Sequence, residues 1–238
     1  MFPMDWYRKI IASTFKYPLV IMLFLAVPGY CFGAPSLEMI KTEFKNLDWE
    51  ARLFSIEKLN GLKDEETVDF LMAVAGDKRE HWAVQIRAIQ FMGEIRNPKT
   101  LDLLLKIFTS RSNVYECPAI KSYTAIALGN FRGYSDVIDP LITGTNNDEP
   151  LIREASVQSL GNLGNAKAVP HLIPLLRSPS LAMRLSTIKA LESIGDPQAI
   201  PHLENVAEKD SDRVAREIST IAVRTLRGYQ EEKSPLSD

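Results

Sequence analysis

The sequence predicts an all-α solenoid of about five helical pairs, with an extra helix capping each end. The main evidence is a motif that recurs at a fixed offset: Leu160–Leu172 and Leu191–Leu203 share one pattern and lie 31 residues apart (191 − 160 = 31). A fixed period of roughly 20–50 residues is typical of repeat architectures. The second observation is that each copy contains two amphipathic segments, and neither can bury its apolar residues unless it packs on a neighbouring copy.

Weaker copies extend the pattern toward the N-terminus, and a half-copy follows at the C-terminus. The upstream copies are Leu128–Leu141, Met92–Leu104 and Leu59–Leu71, and the half-copy Arg213–Gly228 keeps only a first helix. Apolar residues at helical spacing before the first copy predict a short capping helix. The predicted organisation is a capping helix within 34–48, a solenoid at 49–228 and a flexible polar tail at 229–238.

Each copy is predicted to form a first helix, a tight turn and a second helix. We interpret Gly161, Gly164 and Gly195 as helix stops, since glycine readily adopts the left-handed conformation that ends a helix. The chain then restarts with a capping side chain followed by proline, as in Asp196-Pro197. Proline fits this position because the first helical N–H has no partner within the helix.

The shared run is Leu-Gly-x-Leu-Gly-Asn/Asp-x-x-Ala-Val/Ile-Pro-x-Leu, preceded by Ile152-Arg153 in one copy and Met183-Arg184 in the next. It resembles the short HEAT-like repeat of the phycobilin-lyase type, from about Trp49 to Gly228. The resemblance implies a right-handed α-α superhelix, and it says little about function because one fold serves many functions. It also implies that a row of basic residues opening the first helices pairs with acidic or carbonyl groups of adjacent repeats. These residues are Arg52, Lys121, Arg153 and Arg184.

Residues 1–33 do not follow the repeat and predict a secretory signal peptide. A basic leader precedes the apolar run Leu19–Val27, and small residues offer a cleavage site near Gly33. The run is shorter than the approximately 20 apolar residues that span a membrane. The alternatives are an uncleaved signal anchor and a lipoprotein modified at Cys31, for which Tyr30 is a large preceding residue. The predicted location is extracytoplasmic, either periplasmic or secreted.

The charge balance argues against nucleic acid as the partner. The chain has 28 Lys and Arg against 30 Asp and Glu, and signal cleavage would change its net charge from −2 to −4 (25 − 29). An acidic chain lacks the general basic surface that nucleic acids and anionic membranes attract. Cleavage also removes Cys31 and leaves Cys117 alone, so no internal disulfide is predicted. Cys117 is either an inert, partly buried thiol or a site of pairing between chains or of modification.

The sequence offers no catalytic or metal-binding constellation. His171 and His202 occupy equivalent positions on adjacent second helices, whose axes lie about 8–10 Å apart, and no third ligand has a suitable spacing. The resemblance supplies a further comparison, since deoxyhypusine hydroxylase, a HEAT-like enzyme, holds iron through His-Glu dipeptides. This chain contains only the reverse order, Glu80-His81. No catalytic residue, metal or cofactor is therefore predicted.

The remaining candidate site is the surface of the second helices, which line the concave binding side in HEAT-like solenoids. The residues predicted to contact a partner there are Lys106, Thr143, His171, Pro174, Arg177, His202 and Asn205. Their mixture of apolar and polar side chains favours a protein or peptide ligand. The predicted function is an exported, non-enzymatic scaffold without stable membrane insertion after signal cleavage. The alternative is a lyase-like or chaperone-like accessory protein that handles a chromophore or cofactor. The sequence does not indicate an oligomeric state.

Overall fold

Helices account for the regular secondary structure throughout the described part of the chain. The computed structural model describes residues 36–110 and 117–233, with side chains as far as Gly228. Twelve α-helices lie in these ranges, together with short 3-10 turns and no β-strand. They belong to one compact unit that begins at Leu37. The prediction of an all-α helical solenoid is confirmed.

The helices form five pairs between two flanking helices, α1 (Leu37–Phe44) and α12 (Arg213–Lys233). The first helices of the pairs are α2 (Trp49–Glu57), α4 (Trp82–Ile95), α6 (Pro118–Leu128), α8 (Pro150–Leu163) and α10 (Leu181–Ile194). The second helices are α3 (Glu65–Gly76), α5 (Leu101–Thr109), α7 (Ile138–Gly144), α9 (Val169–Leu172) and α11 (Ile200–Lys209).

Stacking of successive pairs builds the core. Each first helix packs against the first helix of the next repeat, and each second helix also packs against that following first helix. Every second helix places one fully buried leucine at the equivalent position: Leu71, Leu104, Leu141, Leu172 and Leu203. The buried residues of all the repeats join into a single cluster. Burial therefore comes from contacts between repeats, as expected for a solenoid.

The predicted turn chemistry is present between the paired helices. Gly164 and Gly195 adopt left-handed φ values of 68° and 76° and end α8 and α10. Arg96 adopts the same conformation after α4, with a φ of 57°. The side chain of Asp196 accepts a hydrogen bond of 2.9 Å from the backbone N–H of Gln198 and caps the 3-10 turn that leads into α11.

Gly161 is not a helix stop, and that interpretation was wrong. It lies inside α8, where a Cβ atom would come within 2.7 Å of the Cα atom of Ala190 on α10. A Cβ atom at Gly129 would likewise come within 2.7 Å of the Cβ atom of Ser159. At both positions glycine allows neighbouring first helices to approach more closely than a larger residue would permit. The spacing between repeats along the first helices thus depends on these two glycines.

The N-terminal helix α1 packs against the first repeat. Ile40 and Phe44 are buried, and the Phe44 ring meets the Phe70 ring of α3 edge-on, with centroids 5.2 Å apart. Lys41 also forms an ion pair of 2.9 Å with Glu66 at the start of α3. These contacts cover the apolar side of the first repeat that no preceding pair covers.

The C-terminal helix is longer than predicted. Helix α12 continues to Lys233, so residues 229–233, which the sequence assigned to a flexible tail, are helical. This stretch is rich in Gln, Glu and Lys, which are good helix formers. Residues 234–238 and the predicted signal peptide at 1–33, with its Cys31, lie outside the described residues. None of the described helices combines the length and the apolar character needed to cross a bilayer.

Candidate functional site

All the partner-binding residues predicted from the sequence are exposed and belong to the second half of their repeats. We call the surface that they form the second-helix face. Its members are Lys106 on α5, Thr143 on α7, His171 on α9, Pro174 and Arg177 in the 3-10 turn after α9, and His202 and Asn205 on α11. The helical register inferred from the repeat therefore places these side chains in solvent and the neighbouring leucines in the core.

Four of these residues meet at one surface depression. Pro174 and Arg177 line it from the fourth repeat, and His202 and Asn205 line it from the fifth. The depression has a volume of about 240 Å³, and its apolar lining comes from Ile173, Leu176 and Val206. Lys106, Thr143 and His171 lie elsewhere on the second-helix face and do not line it.

A second depression, of about 270 Å³, adjoins the first. The two share Leu176, Arg177, Asn205 and Val206, so they lie side by side, and we call the two together the groove. The second depression extends it to the loops that follow α9 and α11. Its additional lining residues are Ser178, Arg184, Lys209, Asp210 and Ser211.

A proline, Pro174, determines which residues of the fifth repeat lie opposite those of the fourth in the groove. Pro174 has no N–H and cannot donate to the carbonyl four residues earlier, so the chain after α9 continues as a 3-10 turn, Ile173–Arg177. A 3-10 turn has three residues per turn, whereas α11 keeps the α-helical 3.6. The repeat offset of 31 residues makes Glu208 the equivalent of Arg177, but Lys209 lines the groove and Glu208 does not. The repeat pattern does not predict Lys209, because equal offsets mark equivalent positions only where both copies have the same helix type.

A partly buried ion pair lies at one end of the groove. Arg184 donates to both carboxylate oxygens of Asp210, at 2.8 and 2.9 Å, and the two side chains are only 11% and 7% exposed. Burial alone raises the pKa of Asp210, but hydrogen bonds from Arg184 and from the backbone N–H of Asp212 outweigh it and hold that pKa below its ordinary value. Arg184 also donates to the carbonyl of Ser178, at 3.0 Å. The pair thereby ties the loops of two repeats together.

The other members of the basic row have the same structural role, as the resemblance implied. Arg153 donates to the backbone carbonyls of Asn147 and Asp148 in the loop before its helix, both at 2.7 Å. Lys121 likewise donates to the carbonyl of Ser110. Arg52 contacts the buried carboxylate of Glu80 at 3.2 Å.

The structure adds two members to this row that the sequence analysis did not name. Gln85 donates to the carbonyl of Asp77 at 2.7 Å, and Arg216 donates to the carbonyl of Asp210 at 2.6 Å. Gln85 lies 33 residues after Arg52, which is the offset of the first two copies, so the repeat could have identified it. The row is therefore a set of loop anchors, each of which bonds to a group within the scaffold.

The remaining candidates from the sequence have structural surroundings. His81 is the N-cap of α4, where its Nδ1 accepts a hydrogen bond from the backbone N–H of Ala83, and its ring stacks on Trp49 with centroids 4.2 Å apart. Cys117 is partly buried against the core at the start of α6. In the described ranges, no group of three His, Cys, Asp or Glu side chains is placed to hold a metal ion.

The paired helices, the continuous core and the loop anchors define an α-solenoid of short repeats. The family model for HEAT repeats matches residues 38–116, 114–181 and 138–224. These matches cover most of the sequence, and the protein belongs to the HEAT-repeat family.

Solved structures with similar folds include a chain of the CpcE and CpcF complex of phycocyanin lyase from Nostoc sp., with 17% identity over 90% of this chain and 94% of that one and a TM-score of 0.56. An engineered protein is 15% identical over 79% and 96% of the two chains, with a TM-score of 0.54. Human deoxyhypusine hydroxylase, solved with glycerol, is 20% identical over 82% and 86%, with a TM-score of 0.42. The resemblance to the phycobilin-lyase type of repeat is confirmed as a similarity of fold. No curated protein matches the chain.

Proposed function

We propose that the protein is an exported, non-enzymatic scaffold that binds a protein or peptide on the concave face formed by its second helices. HEAT repeats commonly mediate protein interactions. One observation carries the proposal: the groove between the fourth and fifth repeats gathers four exposed residues of the second-helix face. The loop anchors of the first helices, in contrast, are engaged within the scaffold.

The size of each depression, taken singly, favours a polypeptide over a small molecule. The two depressions of the groove, of about 240 and 270 Å³, are each smaller than the roughly 300–1,000 Å³ of typical small-molecule sites. They are open and successive, which suits an extended chain that places one side chain in each. A lyase-like accessory protein would need room for a chromophore, and copurification of a visibly absorbing species would favour that alternative.

We expect Arg177→Ala and His202→Ala to weaken partner capture while leaving the fold intact. Both side chains are exposed, and surface changes usually alter the free energy of unfolding by no more than about 0.5 kcal/mol. Capture from the extracytoplasmic fraction of the native host, followed by mass spectrometry, measures the first effect, and thermal unfolding measures the second. Gln158→Ala on α8 and Lys189→Ala on α10 are matched controls, because both residues are exposed on first helices. Loss of capture in the controls alone would show that the partner binds the first helices and that the second helices are the wrong assignment.

Export is a separate part of the proposal and has its own test. The basic leader, the run Leu19–Val27 and the small residues near Gly33 predict cleavage, so the protein isolated from its host should begin near Ala34. N-terminal sequencing of that protein decides the question. A soluble cytoplasmic protein that begins at Met1 would contradict export.

A further inference from the structure

We infer that the groove binds an acidic peptide segment, with Arg177 and Lys209 receiving its carboxylates. This inference rests on the proposed function and names the chemistry of the partner. The whole chain is acidic, with a net charge of −2, whereas the lining of the groove carries more basic than acidic side chains. Complementary charge across an interface favours the matching partner and speeds its association.

The positive charge of the groove comes from two cations without acidic partners. The charged residues that line it are Arg177, Arg184, Lys209 and Asp210. Arg184 and Asp210 neutralise each other through their two hydrogen bonds. Within the described part of the chain, neither Arg177 nor Lys209 forms an ion pair. Two positive charges therefore remain for a ligand.

The nearby acidic groups lie outside the lining of the groove. Glu204 on α11 forms an ion pair with Arg227 of α12 and does not line the groove. Asp212 caps α12 through the backbone N–H groups of Val214 and Ala215. Glu208 is exposed on α11 but lines neither depression. Among the residues that the structure describes, Asp210 supplies the only carboxylate that lines the groove, and Arg184 already holds it.

The other lining groups suit an extended chain with carboxylate side chains. A guanidinium such as that of Arg177 can donate two parallel hydrogen bonds to one carboxylate, and the ammonium of Lys209 attracts another as a point charge. Leu176 and Val206 are largely buried and line both depressions. Their apolar surface excludes water from one side of an ion pair and so strengthens it. The amide of Asn205 can hydrogen-bond to a peptide backbone.

The test uses two peptides that differ only in charge. Each has twelve residues and blocked ends; one alternates Glu with Ser, and the other alternates Gln with Ser. Isothermal titration calorimetry with the full mature chain should show that the Glu peptide binds, that added salt weakens it, and that the Gln peptide binds at least about tenfold more weakly. Arg177→Gln and Lys209→Gln should each lower the affinity for the Glu peptide about fivefold. Lys189→Gln, which removes an exposed charge from α10, should leave that affinity unchanged.

A groove-filling variant separates failure of this inference from failure of the proposed function. Asn205→Trp places an indole in both depressions and should abolish both peptide binding and partner capture. If it abolishes capture while Arg177→Gln and Lys209→Gln have no effect, the groove binds a partner that is not acidic. If it leaves capture intact, the proposed function itself fails. Equal binding of the two peptides, binding of neither, or tighter binding of a single-stranded oligonucleotide would overturn the acidic-peptide inference.

Discussion

Leu203→Ala is expected to lower the free energy of unfolding by about 2–5 kcal/mol, and Leu172→Ala by a similar amount. Both leucines are fully buried and lie 31 residues apart at the same position of adjacent second helices. Removing the isobutyl group loses its transfer free energy and leaves a cavity that only partly collapses. Chemical denaturation of the purified protein measures the change. Because stability in a solenoid includes interface terms between neighbouring repeats, each variant should weaken the contacts of its repeat with both neighbours.

The matched control for this prediction is Asn205→Ala, two residues along the same helix. Asn205 is exposed, so its truncation should change the free energy of unfolding by no more than about 0.5 kcal/mol. A similar loss in Leu203→Ala and Asn205→Ala would mean that α11 does not present one face to the core and the other to solvent. The assignment of the second-helix face would then be wrong.

Asp210→Ala should have the next largest effect, a loss of about 3 kcal/mol. Removing one partner of a buried ion pair leaves the other charge uncompensated, at a cost of about 3–5 kcal/mol. The lower end applies here because the pair is only partly buried and Arg184 keeps its hydrogen bonds to the carbonyls of Ser178 and Pro179. The double variant Arg184→Met with Asp210→Leu should be more stable than Asp210→Ala, since it leaves no unpaired buried charge. If the loss of stability in the double variant equals the sum of the losses in Arg184→Met alone and Asp210→Leu alone, the two residues are not coupled.

The same ion pair predicts how the effect depends on pH. The folded pKa of Asp210 lies below its unfolded value of about 4, so the carboxylate binds its proton less readily in the folded state. Its contribution is therefore fully present above the unfolded pKa and is lost as the pH falls through the folded pKa. The difference in stability between the wild type and Asp210→Asn should be constant near neutral pH and shrink below about pH 4. A difference that grows on acidification would contradict this assignment.

The repeat made most of the fold predictable. An offset of 31 residues between Leu172 and Leu203 identifies the buried side of two helices at once, and the structure buries both. The same offset places Pro174 and Asn205 together, and they meet at the groove. Such predictions succeed because stacked repeats share one geometry, so an equivalent position in sequence is an equivalent position in space.

Where neighbouring repeats differ in backbone geometry, the repeat pattern predicts the wrong residue. Glu208 is the repeat equivalent of Arg177, yet Lys209 lines the groove, because Pro174 converts one second helix to a 3-10 turn. Gly161 was interpreted by residue type alone, although its role depends on how close Ala190 of the next repeat lies. Both features depend on contacts between helices, which a pattern within one helix does not contain.

The central claim is that the partner lies on the second-helix face, and site-specific photo-crosslinking measures this most directly. A photoreactive phenylalanine derivative would replace Asn205 in the groove in one variant and Gln158, exposed on the first helix α8, in another. Thermal unfolding would first establish that both variants are folded. After illumination with the native extracytoplasmic fraction, we predict a covalent adduct with one protein from position 205 and none from position 158. An adduct from position 158 and none from position 205 would contradict the claim.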